Sequence, residues 1–246
     1  MLSKVASLQC CKSCWVSKKT VTMVTLLVAI LINIGFSLVD MGRYTGNRFW
    51  TSVTPCFKSK QHTVRLIELA HKTHLVLDSM GVDHWLMYGS LWGPLRGIPG
   101  PLPWDDDVDI GMDGNGDFKK IPLEEFKAKF EAVGLVLIDK LQESGYLAVK
   151  GYGESIGLFL YYNYRGTMMR SGYESWLFYI HYRFRHSFPA KLLQHPLPKV
   201  KFGSFNISVP RGGIEIMKHL YPTDWWKVVK PKSCKEIVIK SDPILH

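Results

Sequence analysis

The run Pro103-Trp104-Asp105-Asp106-Asp107-Val108-Asp109-Ile110-Gly111 puts four carboxylates into five positions. Like charges this dense repel one another unless a cation sits among them. Side chains one residue apart on a strand point to the same side, so Asp107 and Asp109 form a natural pair. Two carboxylates so placed can grip one divalent cation. All-oxygen donors suit Mg²⁺, with Mn²⁺ as the alternative. Asp105 offers a further metal ligand. Trp104, Val108 and Ile110 make half of the segment apolar, unlike a solvated charge run. The chemistry this predicts is metal-assisted phosphoryl transfer, with Asp107 and Asp109 as catalytic residues and metal ligands.

A second group lies upstream. Gly89-Ser90 follows the apolar run Trp85-Leu86-Met87-Tyr88. Gly89 lets the backbone turn tightly and lets a phosphate approach. Ser90 stands where a helical turn begins, and free backbone N–H groups there bind anions. Arg96, six residues on, has the chemistry of a phosphate clamp. A lone Gly-Ser means nothing and a lone Asp-x-Asp is a weak sign. Both in this order, about 17 residues apart, predict a nucleotidyltransferase-like sheet with Gly89, Ser90 and Arg96 on the nucleotide phosphates.

The elements that must position these residues follow from pattern. Gln61–Met80 reads as a helix stopped by Gly81. Trp85–Tyr88 reads as a buried strand, 97–103 as a loop, and Val108–Met112 as the next strand. Pro122–Val133 is a helix with Pro122 in its first turn and Glu124 and Glu125 at its positive end. Strands follow at Leu135–Ile138, Tyr146–Lys150 and Ile156–Tyr164, the first two separated by a turn at Glu143-Ser144-Gly145. Tyr173–Phe188 reads as an aromatic packing segment, Lys201–Val209 as a strand and Gly213–Tyr221 as a short helix. Trp225-Trp226 is expected to pack the following tail on the core. The fold class is α+β: a mixed sheet flanked by helices, preceded by one transmembrane helix.

That helix is read from Val21–Val39, 19 residues without a charge, against the roughly 20 that span a bilayer. The run exceeds a signal-peptide core and no small-residue cleavage site follows. Lysines before it place the N-terminus on the cytoplasmic side. The expected organisation is a cytoplasmic tail (1–20), a signal-anchor (21–39), a short stem (40–60) and a catalytic domain (61–246). Cys10, Cys11 and Cys14 lie on the tail side, where palmitoylation is plausible. Cys56 and Cys234 lie on the other side, where an oxidising lumen would let them pair. The sequon Asn206-Ile207-Ser208 is usable only there. Formal net charge is +10 without a long basic run or zinc-finger spacing, which disfavours nucleic acid and fits an anionic substrate.

The stretch Tyr88-Gly89-Ser90-Leu91-Trp92-Gly93 through Arg96, with Ile98 and then Pro103 to Gly111, resembles the signature of the LicD/fukutin family. The piece from Ile216 to Trp226 is similar to that family's weaker closing motif, so the resemblance runs from about residue 62 to 232. It implies transfer of a phosphorylated alditol or amino alcohol, of the ribitol phosphate or phosphocholine type, from a CDP-linked donor to a glycan or glycoprotein acceptor. The acceptor hydroxyl attacks the phosphorus and CMP leaves, with Mg²⁺ on the Asp cluster. Animal members are Golgi type II membrane proteins, so the resemblance implies a Golgi or ER membrane here, with residues 21–39 in the bilayer. One departure stands out. The family carries a third carboxylate on a later strand, and the matching position here is Gly157, with Glu154 and Asp139 as the nearby substitutes. Two other readings therefore stay open: a catalytically weakened scaffold in the Golgi, and a nucleotide-sugar glycosyltransferase with an Asp-x-Asp metal site. Homo- or hetero-oligomerisation is left open as well.

Overall fold

The computed structural model describes residues 18–44, 56–171, 186–222, 225–227, 230 and 234. Residues 1–17 of the expected tail, 45–55 of the stem and 173–185 of the aromatic segment lie outside them, while 18–20 of the tail belong to the first helix. Helix α1 (Lys18–Tyr44) contains an apolar window, Lys18–Gly35, of mean hydropathy 1.5, none of it buried. By length and composition it can cross a membrane. Its Val21, Leu26, Leu27 and Leu31 side chains are exposed.

Helix α2 (Lys60–Ser79) begins where Ser59 accepts the His62 N–H through its hydroxyl, a serine N-cap. Leu66, Leu69, Ala70, Thr73, Val76 and Leu77 form its buried face. Gly81, at φ +68°, turns the chain out of the helix. The sheet then assembles from β1 (His84–Leu86), β2 (Val108–Asp113), β3 (Val136–Lys140), β4 (Tyr146–Gly151) and β5 (Glu154–Tyr164). Their order is β1-β2-β5-β4-β3, and only the central β2–β5 pair is parallel. Two strands that the sequence pattern did not separate, β6 (Thr167–Arg170) and β7 (Ser187–Pro189), extend the sheet. Tyr161 pairs with Asp113 on one side and Arg170 on the other, so β6 continues the edge of β5 that β4 occupies.

Helices α3 (Trp92–Leu95) and α4 (Leu123–Glu131) flank the sheet, and a short α5 (Leu141–Ser144) replaces the expected turn. The single strand expected over Lys201–Val209 is a hairpin, β8 (Lys199–Phe202) and β9 (Phe205–Ser208). Gly203, at φ +64°, makes its turn. Asn206 of the sequon is exposed on β9. Helix α6 (Glu215–Leu220) buries Ile216, Met217 and Leu220. Trp225 packs on the core as expected, whereas Trp226 is 53% exposed.

Alternation along β5 decides everything at the site. Glu154, Ile156, Leu158 and Leu160 are buried, while Ser155, Gly157 and Phe159 lie partly open on the other face. Paired residues share a face, so Asp109, Gly157, Ala148 and Ile138 line the open side of the sheet.

Candidate active site

The turn after β1 and the start of β2 are locked together through Asp109. Its N–H donates to Ser90 Oγ at 2.8 Å, and its carbonyl accepts from Met87 N at 2.9 Å. Ser90 is buried and its own N–H donates to Met87 O. Ser90 therefore positions β2, and the open side of the turn falls to Gly89. A Cβ built on Gly89 meets nothing within 4 Å. The tight-turn role predicted for Gly89 belongs instead to Tyr88, which holds φ +47°. A bulky residue in the left-handed region is strained and needs support from its surroundings. Tyr161 supplies it by donating from its hydroxyl to Tyr88 Oη at 2.6 Å, with His186 Nδ1 3.2 Å away and Phe159 edge-on at 5.1 Å.

The acidic run divides by direction. Asp106 turns outward and pairs with Lys58. Asp105 turns inward, its Oδ2 accepting the Leu102 N–H at 2.9 Å. Burial pushes its carboxyl up to about 7 against that hydrogen bond, with the Asp107 and Asp106 charges adding and Arg96 opposing. Asp107 lies one residue ahead of β2 and Asp109 within it. Lost hydration raises both carboxyls, and Asp106 adds to the first. At Asp109 the rise is large, with Asp107 adding to it and Arg170 opposing. Asp107 is exposed, so the rise belongs chiefly to Asp105 and Asp109, and carboxyls crowded in this way form a site that a cation would complete. The all-oxygen donor set fits Mg²⁺ or Mn²⁺.

The floor of this loop is covalent. Cys56 and Cys234 form a disulfide across 178 residues, their Cα atoms 4.9 Å apart. It packs with fully buried Trp104, Leu102, Trp92 and Ile98. Lys58 N donates to Pro103 O at 2.7 Å, which fixes the loop to the segment before α2.

Arg96 is buried under the same loop. Its guanidinium lies 4.2 Å over the Trp92 ring and donates to Lys227 O at 3.1 Å. Its Nε has no hydrogen-bond partner, and burial lowers its pKa to about 10 against the pull of Asp105. In this conformation Arg96 ties the loop to the segment around Lys227.

No carboxylate of β5 faces Asp109. Gly157 is its partner in the ladder, and a Cβ there would stand 2.7 Å from Phe159 Cε2 and 2.9 Å from Asp109 Oδ1. Glu154 lies on the opposite face by parity, gripped by Arg65 Nε and Nη2 at 2.9 and 2.7 Å and by His62 Nδ1 at 2.8 Å. Asp139 pairs with Leu147, which pairs with Leu158, and so also faces away. Pattern reasoning missed Arg170, which lies over the Phe159 ring at 4.7 Å and opposes the rise at Asp109. Only the short apolar run Met168-Met169 before it hinted at a strand.

Residues 81–212 match the family model described as LicD/FKTN/FKRP, nucleotidyltransferase domain. Among curated proteins, an uncharacterized protein of Rickettsia prowazekii (strain Madrid E) is 27% identical over 175 residues, covering 69% of this chain and 58% of that protein. The ribitol 5-phosphate transferase FKRP of Homo sapiens is 29% identical over 177 residues, covering 70% of this chain and 32% of that protein. The match thus spans well under two thirds of either relative. Among solved structures, the antibiotic-resistance factor ANT(2'')-Ia in solution aligns with a TM-score of 0.36 at 13% identity, covering 58% of this chain and 64% of that one. Its complex with adenylyl-2''-tobramycin aligns with a TM-score of 0.30 at 17% identity, covering 42% and 53%. Both structural likenesses are slight.

Proposed function

The chain belongs to the LicD/FKTN/FKRP nucleotidyltransferase-domain family, and from that premise we propose that it is a Mg²⁺-dependent transferase. In this reading it moves a phosphorylated alditol or amino alcohol from a CDP-linked donor to a glycan acceptor. The observation that carries the reading is the double pinning of Asp109 to the Met87–Ser90 turn. It ties the carboxylate strand to the open Gly89 backbone, so in this reading a diphosphate resting on Gly89 would lie beside Asp107 and Asp109. Those two residues, with Asp105, would hold the metal. A divalent ion there supplies charge neutralisation for the diphosphate. Arg96, and the Asp105 oxygen that accepts the Leu102 N–H, keep the loop in shape from below. The acceptor oxygen would form a bond to the phosphorus joined to the alditol and give up its proton to solvent water, while the bond to the CMP oxygen breaks and CMP departs with the negative charge. The similarity to human FKRP supports a ribitol-type head group.

Helix α1 is proposed as a signal-anchor in the Golgi or ER membrane, with residues 56–234 in the lumen. Its unburied apolar window and the Cys56–Cys234 disulfide, a bond of oxidising compartments, support this.

A second reading, a binding or scaffold relative with little turnover, is favoured by Gly157. The hydroxyl proton of an acceptor needs a base, and β5 offers none opposite Asp109. Thermal unfolding with CDP and Mg²⁺ tests the shared part of both readings. Wild type should gain several degrees, and Asp107→Ala and Asp109→Ala should lose that gain while staying folded. Mutants that keep the full shift would remove the metal assignment. CMP release from CDP-ribitol with a glycan acceptor then separates enzyme from scaffold.

A further inference from the structure

A second cluster of metal-ligating side chains lies away from the acidic loop, where the end of α2 meets the start of β1. His74 and Asp78 stand one helical turn apart on α2, and His84 opens β1. Their candidate ligand atoms all lie within 4.8 Å of one another, and both imidazoles are buried. We propose that His74, Asp78 and His84 bind one zinc-class divalent cation that ties α2 to β1.

Hydrogen-bond accounting supports this. The Val82 carbonyl can only accept, so His84 Nδ1, 2.7 Å away, must donate to it. A backbone carbonyl holding Nδ1–H is the usual outer-shell arrangement of a zinc-binding histidine, and it leaves Nε2 with a lone pair. Without metal, His74 Nδ1, 2.7 Å from that Nε2, fills its lone pair with an N–H, so a cation would take the lone pair over from this hydrogen bond. The remaining nitrogen, His74 Nε2, presents its lone pair to Asp78 Oδ2 at 3.4 Å. A positive charge between these two acceptors, a metal ion or a proton on His74, relieves their repulsion.

The spacing also fits. Bond lengths of about 2.0–2.2 Å to nitrogen and oxygen place tetrahedral ligands about 3.3 Å apart. The His74–Asp78 separation is already close to that, and His84 Nε2 to Asp78 Oδ1 is 3.9 Å. His74 is held by stacking on Phe205 at 5.4 Å. Asp78 is 54% exposed along its side chain, which leaves a solvent side for the fourth ligand. Two imidazoles and a carboxylate select zinc over Mg²⁺, which prefers oxygen alone. Lys199 faces the cluster as an opposing charge, and the nearby Asp83 pairs with His195 at 3.2 Å.

The test uses the full chain, purified in detergent, stripped with a chelator and given zinc alone in excess Mg²⁺ that saturates oxygen-only sites. We expect one zinc per chain by elemental analysis and a tetrahedral visible spectrum with Co²⁺. Losing an outer-shell partner already costs about 10- to 100-fold in affinity. Asp78→Asn and His84→Gln should therefore each weaken zinc by at least about 10-fold, with fold checked by circular dichroism. The exposed Asp78→Asn is the variant certain to test binding rather than folding. The Asp107→Ala/Asp109→Ala double variant should keep its zinc. No bound zinc, unchanged affinity in Asp78→Asn, or loss of zinc from the double variant would each overturn the proposal.

Discussion

Gly157 and Asp109 are direct partners in the parallel β2–β5 ladder, and the space above Gly157 is already taken by Asp109 Oδ1 and the Phe159 ring. The missing carboxylate has therefore left no vacancy behind it. Gly157→Asp should overpack this point and destabilise the protein by about 1–3 kcal/mol in urea unfolding. Phe159→Ala removes the nearer obstacle, so Gly157→Asp should cost less in that background. A double-mutant cycle measures the coupling. Equal costs in both backgrounds would mean the ring is not the obstacle.

Glu154 provides the contrast. It is buried, held by Arg65 and His62, and turned away from Asp109. Glu154→Gln should lower stability by about 2 kcal/mol. That is less than the 3–5 of a fully buried broken pair, because Arg65 keeps some exposure. Mg²⁺-dependent nucleotide affinity should not change. A fall in that affinity larger than the fall in stability would make Glu154 the substitute for the carboxylate missing at Gly157.

Asp105 predicts the pH response. Burial pushes its carboxyl up to about 7 in the folded protein, against about 3.9 when unfolded. Between those values only the folded chain binds this proton, so stability of the metal-free protein should fall as pH rises from about 4 to about 7. Asp107 and Asp109 shift in the same direction. A divalent cation binds the ionised forms, so its affinity should rise over the same interval. Asp105→Asn should flatten the stability curve and make the metal-free protein more stable at about pH 8. Thermal melts across pH with chelator present check this.

Ser90→Ala tests the pinning of Asp109. It leaves the Asp109 N–H without its 2.8 Å acceptor, at a cost of about 1–3 kcal/mol for an orphaned buried donor. Nucleotide affinity should fall as well, because β2 loses its anchor to the turn. Hydrogen exchange at Asp109, faster in the variant, is the local readout.

Much of the core was readable because period settles it. The buried face of α2, the helix at α4 and the strands at β2, β4 and β5 follow from apolar spacing alone. The acidic run and Gly89-Ser90 were equally visible. The sequence could not show which carboxylates of other strands share a side with Asp109, because that depends on pairing partners distant in the chain. Parity along β5, not proximity in sequence, removes Glu154 from the site. Tyr88 looked like the last residue of a strand, since nothing local announces a left-handed backbone supported by Tyr161. Arg96 looked like a free clamp because its burial depends on Trp92 and Lys227. The hairpin at β8–β9 was hidden by Phe202 and Phe205, which read as one apolar run until Gly203 breaks it.

The Cys56–Cys234 bond sets an order of assembly. Its second cysteine is synthesised 178 residues after the first, and in between lie the whole acidic loop and the described strands of the sheet. The sheet can form before the bond closes, yet the floor beneath Trp104 cannot be finished until Cys234 arrives. The packing under the acidic loop thus joins the two ends of the described domain, so reducing this one bond should loosen the loop before it loosens the sheet.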